Sequence, residues 1–107
     1  MTPMAARDAW LVLGKDPEAV FRRLAALPRG ERVGAARADL AEARKLAKAL
    51  MAAHHPDRGG DADKFRMVNS ALISIESHTE DFARKVREAD EEAERRQERR
   101  PVFIKLG

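Results

Sequence analysis

The side chains best equipped for chemistry are crowded into one stretch, His54-His55-Pro56-Asp57-Arg58-Gly59-Gly60-Asp61-Ala62-Asp63. Imidazoles, carboxylates and a guanidinium side by side suggest a metal site, an acid/base pair or an exposed contact surface. A metal site is rejected: adjacent histidines on a turn point apart and no third nitrogen ligand is near. Cysteine is absent, and the Asp spacing does not match an Asp-x-Asp-x-Asp-Gly calcium loop. Catalysis is rejected as well. The chain has no phosphate-binding Gly loop and no Ser/His/Asp or Cys nucleophile set, and its carboxylates are scattered, so neither an enzyme nor a cofactor is expected. A contact surface remains. Pro56 biases His55 away from the helical region and cannot continue a helix, and Gly59-Gly60 frees the backbone, which predicts an exposed turn between two helices. Taken alone, the same triplet would also serve as a plain helix stop followed by an Asp cap.

The flanking patterns predict those helices. From about Glu31 to His54, Val33, Ala36, Leu40, Ala43, Ala47 and Leu50 recur at steps of three and four, one apolar side of an amphipathic helix. Its other faces carry Arg37, Arg44, Lys45 and Lys48. His54, four residues after Leu50, reads as a packing or surface residue. After the loop, Asp61 or Asp63 can cap a helix whose stripe is Phe65, Val68, Leu72 and Ile75. Two such helices joined by a short loop should pack as an antiparallel hairpin with these stripes as its core.

Two short helices are expected ahead of the hairpin. Thr2-Pro3 reads as an N-cap and first helical residue, with Trp10, Leu11 and Leu13 as apolar bulk and Gly14 as the stop. Asp16-Pro17-Glu18 repeats the start signal ahead of Val20, Phe21, Leu24 and Leu27, which Pro28-Arg29-Gly30 closes. Beyond the hairpin, Ser77-His78-Thr79-Glu80 fits a capping box and predicts a boundary near His78, with a fourth helix from Thr79. The alternative is one unbroken helix, since the rhythm continues through Phe82, Val86, Ala89 and Ala93. That segment turns charge-rich, with Glu91/Arg95 and Glu92/Arg96 at i,i+4 spacing, and should fray toward Arg100. Pro101 ends it. Val102-Phe103-Ile104-Lys105-Leu106 is an apolar tail that reads equally as a clasp packed back on the protein or as a recognition segment.

Composition agrees with an all-α fold. The chain has 107 residues, 36% of them charged, with one Trp and four Phe, so its core should be small and helical. No apolar run approaches the roughly 18 to 20 residues a membrane span needs. The N-terminus lacks a basic region followed by an apolar segment, so a soluble, cytoplasmic protein is expected. The formal net charge is +3, and residues 1 to 60 carry eleven basic against seven acidic side chains. Nucleic-acid binding is the rival that this charge raises. Interleaved acidic residues and the lack of an aromatic stacking platform count against it.

Taken together, His55-Pro56-Asp57 between a basic helix and Phe65-x-x-Val68-Asn69-x-Ala71-Leu72-x-x-Ile75, with Asp8-Ala9-Trp10-Leu11-Val12-Leu13-Gly14 upstream, resembles the J domain, the Hsp70 co-chaperone module. The loop pattern is most similar to J domains with a short Gly-Gly loop, such as those of polyomavirus tumour antigens and some mitochondrial import co-chaperones. The resemblance covers roughly residues 8 to 76 of a J-like domain spanning 1–78. It departs in an inserted helix near 16–27, and in Ala47, His54 and Leu72, which stand where aromatics are common. It implies docking on a DnaK-type Hsp70 through Arg44, Lys45, Lys48 and Arg58. His55, Pro56 and Asp57 would act as the trigger that stimulates ATP hydrolysis in the partner. Residues 79–107, a charged helix and apolar tail, would recruit a client or assembly. The alternatives are a J-like protein-interaction subunit without Hsp70 activity, as in a phage or bacterial complex, and a nucleic-acid-binding helical protein.

Overall fold

A computed structural model describes residues 4–99. Those residues form four α-helices and one 3₁₀ turn, with no strand among them, so the all-α expectation holds. The helices are α1 (Ala6–Val12), α2 (Pro17–Ala26), α3 (Arg29–Ala53) and α4 (Ala62–Arg99), and the 3₁₀ turn spans Pro56–Arg58 between α3 and α4.

α3 and α4 form the expected antiparallel hairpin. Three contacts fix its register: His55 lies against Phe65, Arg44 against Glu76, and Arg29 against Asp90, so residue numbers rise on one helix as they fall on the other. The buried seam comprises Ala36, Leu40, Ala43 and Ala47 of α3 with Val68, Ala71 and Ile75 of α4. Leu50, Phe65 and Leu72 are half-buried at its edges. Three alanines of this seam are fully buried, at Ala43, Ala47 and Ala71. Small side chains at the contact let the two helix axes approach closely, so modest apolar volume still makes a continuous core.

α1 contributes Ala9 and Trp10 to this core, and Leu13 at its C-cap adds to them. Two of its sequence expectations need correction. The helix begins at Ala6, with Ala5 extended and no side-chain cap; Thr2 and Pro3 lie outside the described residues. Leu11 faces away from the core and is 57% exposed, because one turn of helix cannot aim Trp10, Leu11 and Leu13 in the same direction. Gly14 ends α1 as expected. Its φ of +82° is left-handed, and the N–H groups of Gly14 and Lys15 donate to the carbonyls of Leu11 and Trp10.

α2 follows its start signal closely. Asp16 caps it by accepting from the Glu18 N–H at 3.0 Å, and Pro17 occupies the first turn. At the other end the Arg32 guanidinium donates to the carbonyls of Leu27 and Ala25, satisfying groups that a helix terminus leaves open. α3 therefore starts two residues before Glu31, with Gly30 inside it. α2 is tied to the hairpin by Arg23, which pairs with Asp39 of α3, and by Phe21, whose ring lies 6.1 Å from that of His78 on α4. Together they enclose an apolar cleft of about 240 Å³ lined by residues including Trp10, Leu24, Ile75 and Phe82.

The boundary expected near His78 is absent: α4 runs unbroken from Ala62 to Arg99. The Thr79 hydroxyl donates to the Ile75 carbonyl at 2.8 Å, inside the helix and 5% exposed. Thr79 belongs to the core stripe, and packing against α2 and α3 overrides the local capping signal there. Further along, Arg96 pairs with Glu92 at 3.0 Å, and no pair joins Glu91 and Arg95 among the described residues. Arg100, Pro101 and the segment Val102 to Leu106 lie outside the described residues. Among the described residues no helix is long and apolar enough to cross a membrane.

Candidate docking loop and basic helix face

The loop at the tip of the hairpin is built almost entirely from its own hydrogen bonds. α3 closes with the His54 N–H donating to Leu50. His55 is extended, at φ −62° and ψ 127°, as a residue before proline should be. Its carbonyl accepts from the N–H groups of Arg58 and Gly60, both at 3.0 Å, and the Gly59 N–H donates to Pro56 at 3.1 Å. The Asp57 N–H donates to His55 Nδ1 at 3.2 Å. In the neutral ring this leaves the proton on Nε2.

Both glycines are required, for different reasons. Gly59 has φ +77°, the left-handed region that side chains with a Cβ disfavour. Gly60 has an ordinary φ, but a Cβ there would lie 2.2 Å from the His54 carbonyl carbon. The chain thus turns back against the end of α3 at a separation only glycine permits. Asp61, rather than Asp63, then caps α4, accepting from the N–H groups of Asp63 at 2.9 Å and Lys64 at 3.4 Å.

The geometry separates the roles of the three central residues. The His55 ring stands edge-on to Phe65, with centroids 5.3 Å apart and planes at 77°, a favourable aromatic arrangement. Asp57 is the opposite case: its side chain is 89% exposed, and its only ionisable neighbour within 4 Å among the described residues is the His55 imidazole, 3.7 Å away. Pro56 lies between them, exposed, and locks the backbone that sets their separation. The loop therefore presents a fixed imidazole and an uncommitted carboxylate side by side.

Arg37, Arg44, Lys45 and Lys48 of α3 are all exposed. Arg37, Arg44 and Lys48 follow at steps of seven and four and so share one side of the helix. Arg44 is drawn toward Glu76, at 3.5 Å with both side chains partly exposed, an interaction that contributes at most about 1 kcal/mol. Lys45, Lys48 and Arg58 make no ion pair among the described residues. Arg44, Lys45 and Lys48 lie in the last turns of α3 leading into the loop, whereas Arg37 lies about 24 Å back along the helix from Ala53. Among the described residues no group of three His, Cys, Asp or Glu side chains is placed to hold a metal ion.

Three contributors were not visible as such in the sequence. Phe65 reads there as a core residue, yet it is also the wall that positions His55. Glu76, the partner of Arg44, and the close approach at Gly60 depend on the hairpin register, which no local pattern carries. No family model, no curated protein and no solved structure matches this chain.

Proposed function

We propose that the chain is a J-domain-type co-chaperone that docks on a DnaK-type Hsp70 and stimulates its ATP hydrolysis. The observation that carries this reading is the loop itself. His55 is held by Phe65 and by the Asp57 N–H, Asp57 extends a largely exposed carboxylate into solvent, and cations line the helix leading up to them. A surface of this kind suits an acidic partner that also offers an arginine. The cations raise the association rate and orient the encounter. Asp57 then forms a charge-assisted pair with the arginine. The internal bonds of the loop have already fixed its shape, so little ordering remains to be done on docking.

The exposed charged end of α4, where residues 91–96 face solvent, would recruit a client or assembly, and the setting for this activity is the cytoplasm. A second reading, an interaction subunit without Hsp70 activity, is favoured by one observation: Glu76 engages Arg44, one of the docking cations. Calorimetry with ATP-loaded Hsp70 separates the two. The co-chaperone reading expects binding that weakens steeply with salt and is lost when Lys45 and Lys48 are both replaced by Glu. No binding by the wild-type chain at low salt would contradict it.

A further inference from the structure

Of the four cations assigned to docking, Arg44 alone is engaged within the chain. Its Nε lies 3.5 Å from Glu76 Oε1, whereas Lys45, Lys48 and Arg58 have no carboxylate within 4 Å among the described residues. The Arg44 side chain is 58% exposed and that of Glu76 40%, so a third group can reach the pair. Neither residue belongs to the buried cluster, and the contact can break without disturbing the core. It runs through Nε only, which makes it weaker than a bidentate guanidinium–carboxylate pair.

We propose that Glu76 is a specificity-determining residue of the docking face, an intramolecular competitor for the partner carboxylate that pairs with Arg44. The identity of that partner rests on the co-chaperone reading, whereas the competition rests on the geometry of the pair. A diffuse acidic surface meets Lys45, Lys48 and Arg58 at full charge but finds Arg44 already neutralised. A partner that offers a carboxylate in bidentate geometry displaces Glu76 and gains the fourth contact. The new pair forms only as the old one breaks, so Arg44 contributes to discrimination between partners more than to affinity. Glu80 supplies the comparison. It lies one turn further along α4, exposed, with no cation within 4 Å among the described residues. It carries the same charge on the same side of the helix without occupying a docking cation.

Calorimetry with ATP-loaded Hsp70 at low salt tests this on the full chain, with Glu76→Gln, Glu80→Gln, Arg44→Ala and the double variant Glu76→Gln/Arg44→Ala compared at equal helical content. Glu76→Gln should bind about two- to fivefold tighter than the wild type, the range an exposed ion pair spans. Glu80→Gln should change the affinity less, and the gain from Glu76→Gln should vanish when Arg44 is Ala. Equal gains from the two Gln variants, or a gain that survives without Arg44, would overturn the inference, because general charge alone would then be at work. A second measurement needs no Hsp70. When a short poly-glutamate peptide is titrated into the ¹⁵N-labelled chain, the Arg44 Nε–H resonance should move in Glu76→Gln and stay in place in the wild type. Equal movement in both would overturn the inference. Hsp70 that binds none of these proteins would contradict the co-chaperone reading instead, and the peptide titration would still decide whether Glu76 screens Arg44.

Discussion

The His55 ring meets Phe65 edge-on across the tip of the hairpin, 5.3 Å between centroids, so the first residue of α4's apolar stripe is also the support of the loop. The contact links core packing to the exposed site. Replacing Phe65 with Leu keeps much of the apolar area and removes the aromatic edge, and should cost about 1 kcal/mol. The Ala variant should cost about 2 kcal/mol, because a half-buried ring is lost as well. Urea unfolding measures both. If the Leu variant matched the wild type, the ring contact would not be holding the loop.

The two loop glycines should rank by cause. Gly59→Ala forces a Cβ into the left-handed region, a cost of about 1 to 2 kcal/mol. Gly60→Ala places a Cβ 2.2 Å from backbone that cannot move without unwinding the end of α3, so it should destabilise the protein more and shift the amide resonances of His54 and His55. The reverse ranking in thermal unfolding would contradict the loop geometry.

A continuous α4 makes a prediction opposite to that of a capped helix start. Ser77 is exposed inside the helix, so Ser77→Ala should leave stability unchanged or raise it by a few tenths of a kcal/mol. Were Ser77 an N-cap, the same change would cost about 1 kcal/mol. Thermal melts of the two proteins decide.

Most of this architecture can be read from the residues, and the parts that cannot have identifiable physical causes. Asp16-Pro17 and Asp61 declare helix starts because a cap is a local interaction, complete within three residues. Ser77-x-x-Glu80 carries the same signal and is silent, because Thr79 and Ile75 are buried and continuing the helix keeps both in the core. The stripe of α4 is centred on Ala71 as much as on Leu72, a shift that favours the smaller residue where helices pack closely. The loop was legible because proline and glycine constrain backbone directly, whereas its support by Phe65 requires the hairpin register.

The link between Arg23 and Asp39 was invisible in sequence for the same reason. The Asp39 side chain is 14% exposed, and its Oδ2 is buried without a hydrogen-bond partner. Arg23→Ala should therefore leave a desolvated carboxylate unpaired and cost about 1 to 3 kcal/mol. Adding Asp39→Ala should recover most of that loss, a coupling that a double-mutant cycle measures. Strict additivity would mean that α2 is not held to α3 by this pair.

The central claim is tested most directly by single-turnover ATP hydrolysis on a cognate Hsp70, with the wild-type chain and with His55→Gln compared at equal helical content. The account predicts that the wild type accelerates hydrolysis and that His55→Gln, which removes the imidazole held between Phe65 and the Asp57 N–H, loses the acceleration. Equal rates with the wild type, with His55→Gln and with no added protein would contradict it.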